Sequence, residues 1–169
     1  MKKFRLILLF SVLIGFTCNS CITYSFTGAS IPLTAKTISI GYIENNADFV
    51  NPTLSETLTQ ALRDRFSSQS SLTLIPANGD LQFEGEITSY RTSPQAIQGD
   101  DIAALTRLTI TVRIKYTSLI EPENNFDTSF TAYEDYNSEL DLTTVQDGLI
   151  EVLKEMLVDD IFNKAVVNW

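Results

Sequence analysis

Residues Thr106–Tyr116 (TRLTITVRIKY) alternate without a fault. Leu108, Ile110, Val112, Ile114 and Tyr116 fall on one side, and Arg107, Thr109, Thr111, Arg113 and Lys115 on the other. A period of two over that length is a β-strand with one buried face and one wet face. A sheet built from such strands offers a single apolar surface, so anything else that must bury apolar residues has to pack on that one side. Leu81–Arg91 (LQFEGEITSYR) repeats the pattern, with Leu81, Phe83 and Ile87 inward and Gln82, Glu84, Glu86 and Thr88 outward. Between these two strands runs Thr92–Ala104, which carries Pro94, Gly99 and an acidic pair.

Other segments supply the rest of the sheet and its cover. Thr37–Glu44 alternates, with Ile38, Ile40 and Tyr42 on the inward side. Leu72–Ile75 is a short apolar strand stopped by Pro76, and Asn78-Gly79-Asp80 is a turn. Asn125–Glu134 is a further strand with Phe126 and Phe130 on one side, after the turn Glu121-Pro122-Glu123-Asn124. A first helix has Asn51 as N-cap and Pro52 in the first helical position. Its apolar stripe is Leu54, Leu58, Ala61, Leu62 and Phe66; Arg63 and Arg65 lie toward its C-terminal end, and Ser67–Ser71 closes it. A last helix is predicted over Thr144–Asn163 or beyond, with Thr143 and Gln146 as a capping box and Val145, Leu149, Val152, Leu153, Met156, Ile161 and Phe162 as its buried stripe. The first helix joins two strands, which predicts a right-handed parallel crossover, and the short later connections predict antiparallel pairing. The predicted fold is α+β: a two-layer sandwich, two helices on one face of a mixed, mostly antiparallel sheet.

The N-terminus reads as a targeting segment. Lys2, Lys3 and Arg5 precede the apolar run Leu6–Phe16, which is too short to cross a bilayer core of roughly 20 helical residues. Asn19 and Ser20 are small residues before Cys21, so cleavage between Ser20 and Cys21 would leave an acylated cysteine at the new N-terminus. Cys18 competes for the role but follows the bulkier Phe16 and Thr17. A Cys18–Cys21 disulfide is the other reading; it would close almost no loop and stabilise little. The expected organisation is residues 1–20 signal, 21–36 lipidated tether and 37–169 a single domain, which at that length folds without a disulfide or metal. Ile22 follows the cysteine, with no Asp to signal inner-membrane retention and no acidic run, which favours the periplasmic side.

Charge and chemistry narrow the function. The chain has a net charge of −9, and the signal holds three cations and no acid, so the mature form stands at −12. Such a chain is a poor non-specific partner for nucleic acid. It contains no histidine, and no cysteine after Cys21. That excludes a histidine base, a Ser-His-Asp triad, a thiolate nucleophile beyond the anchor and a His/Cys zinc site. Carboxylate chemistry stays open through Asp100-Asp101, Glu134-Asp135 and Asp159-Asp160, although neighbours on a strand or helix do not face one another. Arg107, Arg113 and Lys115 form the densest cation cluster. They are candidate contacts for lipid phosphate, or they pair across strands with Glu84 and Glu86. Tyr133, Tyr136 and Trp169 are candidate interface aromatics or ordinary packing residues.

Four segments taken in order carry a resemblance: CITYSFTGASIP, VNPTLSETLTQALRDRF, ALTRLTITVRIKYTS, and SFTAYEDYN followed by LIEVLKEMLVDDIFNKAVVNW. Together they resemble the LptE-type lipopolysaccharide-assembly lipoproteins, in the form found in the Bacteroidetes, over almost the whole chain after Cys21. The resemblance implies an outer-membrane lipoprotein without enzymatic activity or cofactor. Its partners would be lipopolysaccharide and an LptD-type β-barrel, inside which it sits as a plug while helping deliver lipopolysaccharide to the outer leaflet. The competing classes are an adaptor lipoprotein of another envelope machine, pilotin-like or a barrel-insertion subunit, and an acid-pair hydrolase acting on glycans.

Overall fold

The chain folds as the alternation requires. The computed structural model describes residues 31–32, 34–49, 51–95 and 104–166. In chain order the elements are β1 (Thr37–Ile40), β2 (Glu44–Asn45), α1 (Leu54–Gln69), β3 (Thr73–Leu74), β4 (Leu81–Gln95), β5 (Leu105–Ser118), β6 (Phe126–Asn137) and α2 (Leu142–Val166). The six strands form one sheet in the order β3-β1-β4-β5-β6, with β2 also pairing on β4. β1 runs parallel to β3 and β4, and β2 parallel to β4, while β4–β5 and β5–β6 are antiparallel. The predicted parallel β1-α1-β3 unit and antiparallel later strands are therefore both present. The signal, Cys18, Cys21, the Asp100-Asp101 pair and Trp169 lie outside the described residues.

Both helices cover one face. Leu54, Leu58, Leu62 and Phe66 of α1, and Leu153, Leu157 and Ile161 of α2, are at most 1% exposed. They join one core with the inward residues of β5, all five of which are buried as the alternation predicts. Phe66 joins the layers, with ring centroids 4.9 Å from Phe83 of β4 and 4.9 Å from Phe162 of α2.

Several expectations are corrected. Tyr42 is exposed and Ile43 is buried instead, because β1 stops at Ile40 and Gly41 shifts the phase. The backbone freed at this break is taken up by α1: Arg63 donates to the Ile40 carbonyl through Nη2 (2.8 Å), and Ile43 N donates to Thr59 Oγ1 (3.0 Å). Arg63 and Arg65 thus serve tertiary contacts rather than the helix terminus, which has no basic residue in its last turn. α1 begins at Leu54, after a turn through Pro52, but Asn51 still caps it. Its Oδ1 accepts from Thr53 N (3.0 Å) and Leu54 N (3.1 Å). At α2 the cap is Asp141, whose Oδ1 accepts from Thr143 N (3.0 Å) and Thr143 Oγ1 (2.9 Å), so Thr143 is a donor to the cap and not the cap of a box with Gln146. Val152 and Met156 are 46% and 42% exposed, and the buried stripe runs instead through Ile150, Leu153, Leu157, Val158 and Ile161. The β4–β5 register slips between Ile87 and Ser89, so Thr88 is a bulge and Tyr90 turns back into the core.

Candidate functional site

The sheet face away from the helices is polar along β4, β5 and β6, and it holds all three candidate cations. Lys115 Nζ donates to Glu84 Oε2 at 3.1 Å. Arg113 makes a two-pronged contact with Asp127, Nε to Oδ1 at 2.8 Å and Nη2 to Oδ2 at 2.7 Å, and reaches Glu86 at 3.7 Å. Arg107 makes the same fork with Asp135, at 2.7 and 2.9 Å, and its guanidinium lies 3.8 Å from the centre of the Tyr133 ring. The pairing with Glu84 and Glu86 follows from the β4–β5 alternation. The stronger forks to Asp127 and Asp135 come from β6. Asp127, Ser129, Thr131, Tyr133 and Asp135 share one face of that strand, and the β5–β6 register sets Arg107 opposite Asp135 and Lys115 opposite Asp127. The period-two spacing of those five residues was the available signal.

Charge-assisted hydrogen bonds hold these groups ionised. The hydrogen bonds from Arg113 hold the Asp127 carboxyl below the usual carboxylate range, and those from Arg107 do the same to Asp135. Thr111 and Thr131 share a hydroxyl hydrogen bond of 3.0 Å in the middle of the face. A shallow open groove crosses it, lined by Glu44, Asn46, Glu84, Glu86, Arg113, Lys115 and Asp127, so four carboxylates surround two cations. Such a surface can exchange hydrogen bonds with another polar surface. Both cations of this groove are held by carboxylates; on the same face Arg91, exposed and opposite Thr109, has no ion pair among the described residues.

The acid doublets do not converge. Asp135 is held by Arg107 while Glu134 points to the opposite face; Asp159 pairs with Arg65 while Asp160 is exposed. Among the described residues no group of three or more His, Cys, Asp or Glu side chains is placed to hold a metal ion. Tyr133 is 49% exposed under Arg107, and Tyr136 is half-buried against the core. Lys154 is buried on α2 between Glu151 (2.7 Å) and Glu155 (3.5 Å), and no sequence pattern marks it.

The comparisons decide the family. The model of the LptE lipopolysaccharide-assembly family matches residues 35–165, which is nearly the whole described domain. The chain belongs to this family. Solved structures share this sandwich fold at low identity. A minor lipoprotein from Acinetobacter baumannii is 17% identical with a TM-score of 0.50, over 78% of this chain and 93% of that one. A hypothetical protein from Chlamydia trachomatis is 10% identical with a TM-score of 0.51, over 79% and 99%. A protein from Xanthomonas campestris is 12% identical with a TM-score of 0.53, over 79% and 85%. At these identities the likeness speaks for the fold alone. The search of curated proteins returns no match.

Proposed function

We propose that this LptE-family chain is an outer-membrane lipoprotein, anchored through Cys21 after loss of residues 1–20. In this reading residues 21–36 are the lipidated tether. The domain sits as a non-enzymatic plug in an LptD-type β-barrel, assisting its assembly and the delivery of lipopolysaccharide to the outer leaflet. The observation that carries this reading is the family match across residues 35–165. The fold supports it physically. A plug needs a rigid body with a polar wall, and the cross-strand ladder from Arg107–Asp135 to Lys115–Glu84 supplies one. The same wall, with Arg107, Arg113 and Lys115, is the surface we assign to the barrel. Depletion of the lipoprotein tests the proposal. The expected result is a misassembled barrel and lipopolysaccharide retained in the periplasm, with barrel and lipoprotein co-purifying one to one from detergent-solubilised membranes. Normal barrel levels and normal surface lipopolysaccharide under depletion would overturn it.

A further inference from the structure

One end of the sheet carries two adjacent exposed aliphatic side chains that the plug reading does not use. Leu119 and Ile120, just after β5, are 59% and 38% exposed. They sit on a turn that is well built. Ser118 N donates to Asn125 Oδ1 (2.7 Å), Glu121 N to Ser118 Oγ (2.9 Å), and Asn124 Nδ2 to Glu121 Oε2 (2.7 Å). A turn fixed in this way holds the pair out to solvent at little further ordering cost on binding.

The register shows what lies beside them. Ile38, Leu81 and Ser118 form one row across β1, β4 and β5. In the next row Asp80 ties the first residues of the domain to the turn. Its Oδ2 accepts from Lys36 N (2.9 Å) and Thr37 N (3.0 Å), and its carbonyl accepts from Leu119 N (2.9 Å). Two strand spacings, roughly 10 Å, therefore separate Leu119 from the point where the chain arrives from Cys21. The opposite end of β5 lies roughly 44 Å away at 3.4 Å per residue.

We propose that this end is a membrane-contact surface, with Leu119 and Ile120 seated in the interface of a bilayer of neutral, zwitterionic lipid. The inference rests on the proposed Cys21 anchor, whose chain enters the domain at this end through Lys36 and Thr37. Charge selects the lipid: the turn carries Glu121 and Glu123 against Lys36, so anionic headgroups repel it and apolar burial drives the contact.

The test uses the full-length lipidated protein in phosphatidylcholine vesicles. An environment-sensitive fluorophore is placed at Glu123→Cys beside the pair, or at Glu139→Cys in the far turn. The expected result is a several-fold brighter, blue-shifted signal at position 123, quenched by nitroxide-labelled lipid. No such signal is expected at 139. Leu119→Ser with Ile120→Ser should abolish it while the protein still floats with the vesicles, and added phosphatidylglycerol should reduce it at low salt. A label at 123 that stays water-exposed on floating protein, or a signal that survives the double substitution, overturns the contact alone. Protein that fails to float overturns the anchor and the contact together.

Discussion

Gly79 is walled in by backbone. A Cβ there would lie 2.6 Å from Ser39 N, 2.7 Å from Ile38 C and 2.8 Å from Leu81 O. These atoms belong to paired strands and cannot yield without opening the parallel β1–β4 ladder. Gly79→Ala should therefore cost about 2–3 kcal/mol, the upper part of the overpacking range, read as a lower denaturant midpoint. Asn78 before it has φ of 56°, which Asn tolerates better than most residues. The turn was legible as Asn-Gly-Asp, but the reason for its glycine was not, because the crowding comes from a strand about forty positions away. Asp80 completes the turn, its carboxyl held below the ordinary range mainly by the backbone N–H groups of Lys36 and Thr37. A depressed folded-state pKa means that the stabilisation is present above the unfolded value of about 3.9 and is lost as pH falls through the folded one. Asp80→Asn should then lower the melting temperature at pH 7. The gap to the wild type should narrow as both are taken well below pH 4; a gap that does not change with pH would contradict this account.

Among the elements, β5 could be read in full because its period of two is unbroken, and its five inward residues are all buried. β4 could be read only as far as Ile87. The bulge at Thr88 has no glycine or proline to announce it, and it reverses which residues face the core beyond that point. α2 misled for another reason. Apolar residues lie on more than one of its faces, and its buried side is chosen by contacts with β5, β6 and α1, with Phe162 against Phe66 fixing one flank. Two consequences are measurable. Leu153→Ala, at a fully buried position, should cost about 2–5 kcal/mol, whereas Val152→Ala should stay within about 0.5 kcal/mol. Gly148 lies inside α2 and a Cβ there meets nothing within 4 Å. Gly148→Ala should stabilise the protein by roughly 0.5–1 kcal/mol, seen as a melting temperature higher by a few degrees. A loss of stability would contradict this account.

For the whole molecule the question is what the polar sheet face meets. The cation cluster was legible on β5, and so were two of its acidic partners on β4. Its strongest partners, Asp127 and Asp135, were not, because the register that brings β6 alongside β5 is not written in either strand alone. Their presence shifts the balance between the two uses considered for the cluster. At these three cations a lipid phosphate must displace a carboxylate already held at 2.7–3.1 Å, beside a groove where acids outnumber cations and on a chain of net charge −9. A polar barrel wall adds hydrogen bonds around the existing pairs without displacing them. Joint replacement of Arg107, Arg113 and Lys115 by Gln should therefore change lipopolysaccharide binding by the isolated lipoprotein by less than about twofold at both low and high salt. Stability should fall only slightly, because solvent-exposed pairs contribute little. The yield of co-purified barrel should drop, because the wall loses its charged ladder and leaves Glu84, Asp127 and Asp135 unopposed. Arg107→Gln alone should account for the largest share, since it combines the fork to Asp135 with the stacked contact on Tyr133 and is the least exposed of the three. A salt-dependent loss of lipopolysaccharide binding of tenfold or more in the triple variant, with barrel recovery intact, would reverse the assignment and make this face the phosphate site.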